Sequence, residues 1–205
     1  MKPKSYFNGE SFPDSRHLDF GSGNFKRNPF LCNEIYTLDL YESRQGKNEF
    51  VIKQGERLPF PDNYFVTISA YDVLEHISRD TGGRNLFIFY MNELCRVLQH
   101  DGYAVFIFPS FPHRDAFSDP THINYITAET LNYFLGDNSN GSYAGITTAY
   151  KQLRNSKLRF WKNWVNDPQV SKFKVRNPRR IMSLVKRDFF RAINPGHRIW
   201  ILQKL

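Results

Sequence analysis

Glycines and acidic residues near the start of the chain occur at a spacing that suits a nucleotide. An apolar run ending in Phe20 leads directly into Gly21 and Gly23, and a second apolar run ends in Asp39, twenty residues after Asp19. Glycine accepts positive φ and lets a ligand approach the backbone N–H groups. A carboxylate at the end of the neighbouring strand can accept hydrogen bonds from ribose hydroxyls. The pattern therefore predicts a nucleotide-binding crevice.

Two residues further along the chain have the types needed for proton transfer. The stretch Asp119-Pro120-Thr121-His122 places a carboxylate, a rigid turn and an imidazole within four residues. Because histidine titrates near neutral pH, we expect His122 to act as a general base. Asp119 would orient His122 or hold an acceptor hydroxyl. In the alternative interpretation, Asp119 caps a turn and His122 packs behind it.

Both groups of residues need a parallel β-sheet to bring them together. Continuous apolar runs are typical of strands covered on both faces, and six of them predict strands at Arg16–Phe20, Glu34–Leu40, Glu49–Lys53, Phe65–Ala70, Tyr103–Phe108 and Arg198–Gln203. A 3.6-residue apolar stripe predicts a helix over Asn85–Gln99, and a second helix is expected to begin at Thr127. The carboxyl ends of parallel strands form one crevice, where we also expect Tyr71, Asp72, Glu75 and His76.

Four segments resemble, in order, the motifs of class I S-adenosylmethionine-dependent methyltransferases. They are Asp19-Phe20-Gly21-Ser22-Gly23, Gly55–Phe65, Val66–Ile77, and Asn92–Leu98 together with Asp101–Phe108. The resemblance covers residues 16–110, about half of the chain. It implies an α/β, Rossmann-like methyltransferase fold, with a seven-stranded, mostly parallel sheet whose last strand is antiparallel. It also implies an enzyme with S-adenosylmethionine as its cofactor. A dinucleotide is disfavoured because Lys26 stands where Gly-x-Gly-x-x-Gly requires its third glycine.

The resemblance also assigns the cofactor site. Its expected residues are Asp19, Gly21, Gly23, Asp39, Leu40, Gly55, Glu56 and Tyr71. In the family, an acidic residue after the third strand often receives the adenine amino group, but Gln54 stands at the position that aligns with it. Two assignments stay open: the Gly55 backbone with Glu56, or the amide oxygen of Gln54.

Two connections are shorter than the family pattern. Only ten residues separate Asp39 from the strand near Phe50, so we expect the second helix to be reduced to a loop around Glu42–Lys47. We expect the first helix to begin near Pro29, because the missing N–H of proline costs nothing at the first helical position.

Charge is divided unevenly along the chain. The whole chain has a net charge of +8, and residues 151–205 alone contain 15 Lys and Arg against 2 Asp and Glu. We expect residues 1–205 to form a single methyltransferase domain. Residues 151–197 are expected to form a basic helical insertion before the last strand, and this insertion would cover the site. Such a surface attracts phosphates in an acceptor, in RNA or at an anionic membrane surface.

Composition and motifs disfavour several other classes. Cys32 and Cys95 lack ligand-like spacing, so neither a zinc site nor a disulfide framework is expected, and no metal is expected in the site. No apolar run approaches the ~20 residues of a membrane span, which favours a cytoplasmic protein. The turn Ala70-Tyr71-Asp72-Val73 lacks the prolines typical of enzymes that methylate base amino groups, and neither cysteine resembles a nucleophile. An oxygen acceptor follows by elimination.

The predicted activity is S-adenosylmethionine-dependent transfer of a methyl group to an oxygen of a small or glycan-like acceptor. An acceptor that carries a phosphate would suit the basic C-terminal segment. The stretch Asp119–His122 also resembles methyltransferases encoded near polysaccharide and glycolipid pathways. Two alternatives stay open. One is an RNA methyltransferase that uses the basic C-terminal face. The other is a non-catalytic cofactor-binding partner subunit, suggested by Gln54 and the shortened helices.

Overall fold

Seven strands form one sheet in the computed structural model, which describes residues 12, 14–24, 26–39, 46–79, 82–136, 139–157 and 196–205. The strands are β1 Arg16–Phe20, β2 Glu34–Asp39, β3 Glu49–Val51, β4 Phe65–Tyr71, β5 Leu98–Pro109, β6 Tyr150–Lys157 and β7 His197–Lys204. Their order across the sheet is β3-β2-β1-β4-β5-β7-β6.

Strand directions confirm the predicted mixed sheet. β1 is parallel to β2 and to β4, and Asp19 lies opposite Thr37 on one side and Ser69 on the other. β4 is parallel to β5, whereas β7 is antiparallel to both β5 and β6. The carboxyl ends of β1, β2, β4 and β5 therefore share one edge of the sheet with the first residue of β7.

Successive residues of the central strands are buried on opposite faces of the sheet. On β5, Ala104, Phe106 and Phe108 belong to the larger cluster, which includes helix α1, Leu86–Val97. Val105 and Ile107 point to the other face, where the cluster also contains Phe30, Cys32, Tyr71, Ile199 and Ile201. Burial on both faces explains why these strands have continuous apolar sequences.

Helix α1 agrees with the sequence pattern, but the expected first helix does not form. α1 is capped by Asn85, whose side-chain oxygen accepts a hydrogen bond from the Ile88 N–H at 3.3 Å. Between β1 and β2, described residues 21–24 and 26–33 contain no helix, so the predicted start near Pro29 is wrong. The Asn28 side chain bonds both the N–H and the C=O of Cys32, at 2.9 and 2.7 Å, and so replaces helical hydrogen bonds.

The helix expected at Thr127 is a short 3₁₀ helix, Glu129–Phe134. The Thr127 hydroxyl oxygen accepts hydrogen bonds from the N–H groups of Glu129 and Thr130, at 3.1 and 3.3 Å. Another short 3₁₀ helix, Leu74–His76, follows β4, and a single α-helical turn, α2 Asp115–Ser118, follows β5. A loop is expected around Glu42–Lys47, and residues 42–45 of it lie outside the described residues.

The start of the expected basic insertion is instead a strand. Residues 151–157 belong to β6, which pairs with β7 at the sheet edge, so the insertion does not begin at residue 151. β6 lacks an apolar run because most of its residues are exposed, and pairing with β7 holds it in the sheet. Residues 158–195, which contain most of the predicted insertion, lie outside the described residues. Across the part of the chain that is described, no helix has the length and apolar character to span a bilayer.

Candidate active site

The first candidate half-site is the glycine bend, residues Gly21–Asn24, between β1 and the following loop. Gly21 and Gly23 have φ of 70° and 52°, in the left-handed region. The Gly21 N–H donates to the Leu38 carbonyl at 2.7 Å, and the Gly23 N–H donates to Oδ2 of Asp39, also at 2.7 Å. The bend is thus fastened to the end of β2, and the predicted acidic residue lies against it.

The two glycines differ in the space around them. A Cβ atom added to Gly21 would lie 2.4 Å from Cγ2 of Val73, in the segment that follows β4. A Cβ atom added to Gly23 would meet nothing within 4 Å. The bend therefore packs closely on one side and is open on the other, beside the Asp39 carboxylate.

A buried polar network lies beneath the bend. Asp19 is fully buried and accepts hydrogen bonds from the Arg27 N–H at 2.7 Å and from the Ser69 hydroxyl at 2.8 Å. Ser69 is also bonded to Nε2 of His17 at 2.9 Å, and Nδ1 of His17 faces the Thr67 hydroxyl at 2.9 Å. Burial raises the pKa of Asp19 to about 7 and lowers the pKa of His17 to about 3. Asp19 thus anchors the loop beneath the bend.

Arg27 connects this network to Tyr71. Its Nη1 donates to the Ser22 carbonyl at 3.3 Å, and its guanidinium carbon lies 5.4 Å from the centre of the Tyr71 ring. Tyr71 is only 1% exposed and packs in the smaller apolar cluster. Tyr71 therefore packs in the protein interior, beside the Arg27 guanidinium.

The residues proposed for adenine recognition already have partners within the chain. The Gly55 N–H donates to the Tyr90 hydroxyl at 2.7 Å, and Gly55 has a φ of 93°. Oε2 of Glu56 accepts from the Lys53 N–H at 2.9 Å, while Oε1 of Gln54 accepts from the Ser78 hydroxyl at 3.0 Å. Both side chains stabilise the turn after β3. Leu40, also assigned to the cofactor site, lies outside the described residues.

The second candidate half-site is a cavity of about 320 Å³ at the carboxyl ends of β4 and β5. We call it the histidine–carboxylate pocket, because three histidines and four acidic residues make up most of its lining: Asp72, Glu75, His76, Asp115, Asp119, His122 and His197, together with Pro109. Both predicted catalytic residues, Asp119 and His122, therefore line the same pocket.

Asn124 holds the His122 loop against the turn that follows β4. Its side-chain NH₂ donates to the carbonyls of Leu74 and Ile77, at 3.0 and 2.5 Å. The N–H groups of Ile123 and Asn124 both donate to the Glu75 carbonyl, at 2.8 and 3.0 Å. These four hydrogen bonds bring His122 beside Glu75, although 46 residues of sequence separate them.

The orientation of His122 follows from its partner. Its Nδ1 lies 3.1 Å from the Ala116 carbonyl, which can only accept, so Nδ1 carries the hydrogen and the neutral ring has a lone pair on Nε2. Nε2 is 4.0 Å from both Oδ2 of Asp119 and Oε1 of Glu75, too far for hydrogen bonds. Asp119 instead accepts from the Thr121 hydroxyl and N–H, at 2.6 and 2.8 Å, and these bonds lower the pKa of its carboxyl. Asp119 shapes the turn that presents His122.

Two acidic residues after β4 complete the pocket. Glu75 is 1% exposed, and burial together with the nearby charge of Asp72 raises its pKa to about 9. Asp72 accepts a 2.9 Å hydrogen bond from Nε2 of His197. Sequence reasoning missed His197, although an antiparallel last strand begins where the parallel strands end and so delivers its first residue to this edge. It also missed Asn124, Arg27 and the His17–Ser69 network.

Comparisons with known proteins agree with this fold. A family model described as "Methyltransferase domain" matches residues 18–106. No curated protein matches the chain. Similar solved structures include the YcgJ protein of Bacillus subtilis, with 17% identity, a TM-score of 0.52, and coverage of 95% of this chain and 92% of that one. A methyltransferase from Aquifex aeolicus described as SAM-dependent has 15% identity, a TM-score of 0.51, and coverage of 95% and 84%.

The fold also occurs with other chemistry. The [4+2]-cyclase SpnF has 16% identity, a TM-score of 0.56, and coverage of 98% of this chain and 77% of that chain. The structural similarity therefore shows the fold, while the match over residues 18–106 identifies the methyltransferase domain. Together they support the resemblance of this chain to class I S-adenosylmethionine-dependent methyltransferases.

Proposed function

We propose that the protein transfers a methyl group from S-adenosylmethionine to an oxygen of a small or glycan-like acceptor. The donor would bind at the glycine bend and the acceptor in the histidine–carboxylate pocket. One observation carries this proposal: the two half-sites share a segment. Gly21 packs against Val73. Asp72, directly before Val73, and Glu75, two residues after it, both line the pocket.

The donor end of the proposal rests on Asp39 and the open space beside Gly23. A carboxylate accepts several hydrogen bonds, so the bond from the Gly23 N–H is compatible with bonds from the ribose hydroxyls. Each charge-assisted bond of this kind contributes roughly 1.5–3 kcal/mol. Asp19 would support this site from below, through Arg27 and Ser69.

The acceptor end of the proposal rests on the lining of the pocket. Imidazoles and carboxylates form hydrogen bonds with hydroxyls, and a cavity of about 320 Å³ is of the size that binds small molecules. Methyl transfer from a sulfonium releases a neutral thioether, so the enzyme must align the acceptor and remove its proton. The lone pair on Nε2 of His122 would accept this proton.

Charge favours a neutral acceptor group within the pocket. Four acidic residues line it, and among its described lining residues there is no lysine or arginine. A phosphate on the acceptor would therefore bind outside the pocket. RNA methylation would draw on the basic C-terminal sequence, and no observation on the described residues favours it.

The test combines ligand binding with turnover. Isothermal titration calorimetry should show binding of S-adenosylmethionine and S-adenosylhomocysteine but not of a nicotinamide dinucleotide. Wild-type protein should then transfer labelled methyl groups to members of a panel of sugars, nucleotide sugars and glycolipid headgroups, and an RNA panel serves as the competing acceptor. Absence of binding by both sulfur nucleosides, or transfer to RNA alone, would overturn the proposal.

A further inference from the structure

We propose that Glu75, His76 and His122 bind a divalent transition-metal ion in the histidine–carboxylate pocket. One donor atom from each of these residues lies within 4.8 Å of the other two. They come from the turn after β4 and from the loop after α2, two segments that Asn124 holds together. The ligand set of two imidazoles and one carboxylate departs from the expectation of a metal-free site.

Both histidines are oriented as metal ligands usually are. The Nδ1–H of His122 donates to the Ala116 carbonyl. Nδ1 of His76 lies 3.0 Å from the Thr121 hydroxyl, which donates its own hydrogen to Asp119 and so accepts from His76. A ligating histidine typically donates its second N–H in this way, which fixes the ring and leaves the other nitrogen for the ion. Both rings therefore have Nε2 left to coordinate.

The burial of Glu75 supports a bound cation independently of the two histidines. Its side chain is 1% exposed, and Oε2 is fully buried with no hydrogen-bond partner among the described residues. A buried carboxylate oxygen without a partner is costly, and a bound cation would compensate it. The 4.0 Å gap between Oε1 of Glu75 and Nε2 of His122 is too long for a hydrogen bond but can hold an ion about 2.1 Å from each atom.

Charge and ligand type indicate which ion would bind. The Oδ2 atom of Asp119 lies 4.0 Å from Nε2 of His122 and adds negative charge beside the three ligands. Asp72 adds negative charge to the same wall of the pocket. Imidazole ligands favour zinc, copper, iron or nickel over magnesium, calcium and manganese, which suit oxygen-rich sites. We therefore expect a clear preference for Zn²⁺ over Mg²⁺, with Mn²⁺ bound less tightly than Zn²⁺.

The role of the ion rests on the proposed function. Bound beside the acceptor, it would hold the acceptor oxygen and lower the pKa of its hydroxyl. The hydroxyl proton passes to solvent, and the oxygen forms a bond to the methyl carbon of S-adenosylmethionine. The carbon–sulfur bond breaks, and its electron pair stays on sulfur, giving a methyl ether and S-adenosylhomocysteine. His122 would then be a ligand of the ion, and solvent would accept the proton in place of His122.

The site can be tested without turnover. Full-length protein stripped of metal with a chelator is titrated with Zn²⁺, Mn²⁺ and Mg²⁺ by calorimetry, and bound Mn²⁺ is detected by electron paramagnetic resonance. We expect one Zn²⁺ per chain, weaker binding of Mn²⁺, and at least about tenfold weaker binding of Mg²⁺ than of Zn²⁺. Glu75→Gln and His76→Gln should each weaken binding more than about tenfold, whereas His100→Gln, an exposed histidine at the other end of β5, should not.

The outcomes separate the two proposals. No saturable binding by wild-type protein, or equal binding by all three variants, would overturn the metal site, and His76→Gln keeps the comparison valid if Glu75→Gln does not fold. Metal binding without any S-adenosylmethionine binding would overturn the proposed function alone. Metal binding together with methyl transfer that a chelator does not reduce would leave the site standing and contradict its role in holding the acceptor.

Discussion

The backbone N–H of Gly23 donates a 2.7 Å hydrogen bond to Oδ2 of Asp39. This bond joins the loop after β1 to the end of β2, and it fixes the carboxylate beside the open space of the glycine bend. The geometry makes Asp39 the residue on which cofactor affinity should depend most directly.

Asp39→Ala should weaken S-adenosylmethionine binding. Loss of one charge-assisted hydrogen bond costs about 1.5–3 kcal/mol, which corresponds to roughly a tenfold to hundredfold increase in Kd. Calorimetry measures the change. Glu34→Ala, at the opposite end of β2, is the matched control and should bind the cofactor as wild type does. Equal affinities for the two variants would show that Asp39 does not hold the ribose.

Gly21→Ala and Gly23→Ala should differ in stability. Alanine at either position bears a left-handed strain of about 1–2 kcal/mol. At position 21 the added Cβ would also lie 2.4 Å from Cγ2 of Val73, so the backbone must move and a further 1–3 kcal/mol of overpacking, roughly, is expected. Urea denaturation of both variants gives the comparison. A Gly23→Ala variant as unstable as Gly21→Ala would contradict the packing described at the bend.

The two titratable residues beneath the bend should give opposite pH dependences. Burial lowers the pKa of His17 from 6.5 to about 3, so between these values the unfolded chain binds the extra proton and stability rises with pH. Burial raises the pKa of Asp19 from 3.8 to about 7, so in that window the folded chain holds the extra proton and stability falls as pH rises.

His17→Leu and Asp19→Asn separate these contributions. From about pH 4 to 6.5, the free energy of unfolding of His17→Leu should fall relative to wild type, by up to about 1.4 kcal/mol per pH unit. That of Asp19→Asn should rise relative to wild type over the same range. Urea denaturation at a series of pH values measures both differences, and slopes of the same sign would refute the assignment.

Asn124→Ala should reduce turnover while leaving cofactor binding intact. The substitution removes the two side-chain hydrogen bonds that hold the His122 loop to the turn after β4. Asn92→Ala is matched, because Asn92 also forms two hydrogen bonds to a loop, at Gly145 and Thr147, but lies on α1 away from the pocket. We expect a loss of kcat of at least about tenfold only for Asn124→Ala. The same loss in both variants would indicate a general effect on stability.

Sequence alone predicts those features that depend on residues close together along the chain. The bend and β1, β2, β4 and α1 are each specified by a local pattern of glycines, apolar runs or caps. Asp39 could be paired with the bend because adjacent parallel strands end at the same edge. The apolar pattern did not reveal β6, since an exposed edge strand has no continuous apolar run.

Features assembled from distant strands could not be predicted in this way. His17, Ser69 and Asp19 form one network only because β1 and β4 are neighbours in register. The helix expected at Pro29 is absent because the side chain of Asn28 satisfies the backbone of Cys32, a contact that propensity does not encode. The pocket itself needs the first residue of β7, 125 residues after Asp72.

The most direct test of the proposed cofactor site is a crystal structure of the protein with S-adenosylhomocysteine. We expect both ribose hydroxyls to lie within hydrogen-bond distance of the Asp39 carboxylate, and the sulfur to face the histidine–carboxylate pocket. A ligand bound away from the glycine bend, or with its sulfur directed away from His122, would contradict this proposal.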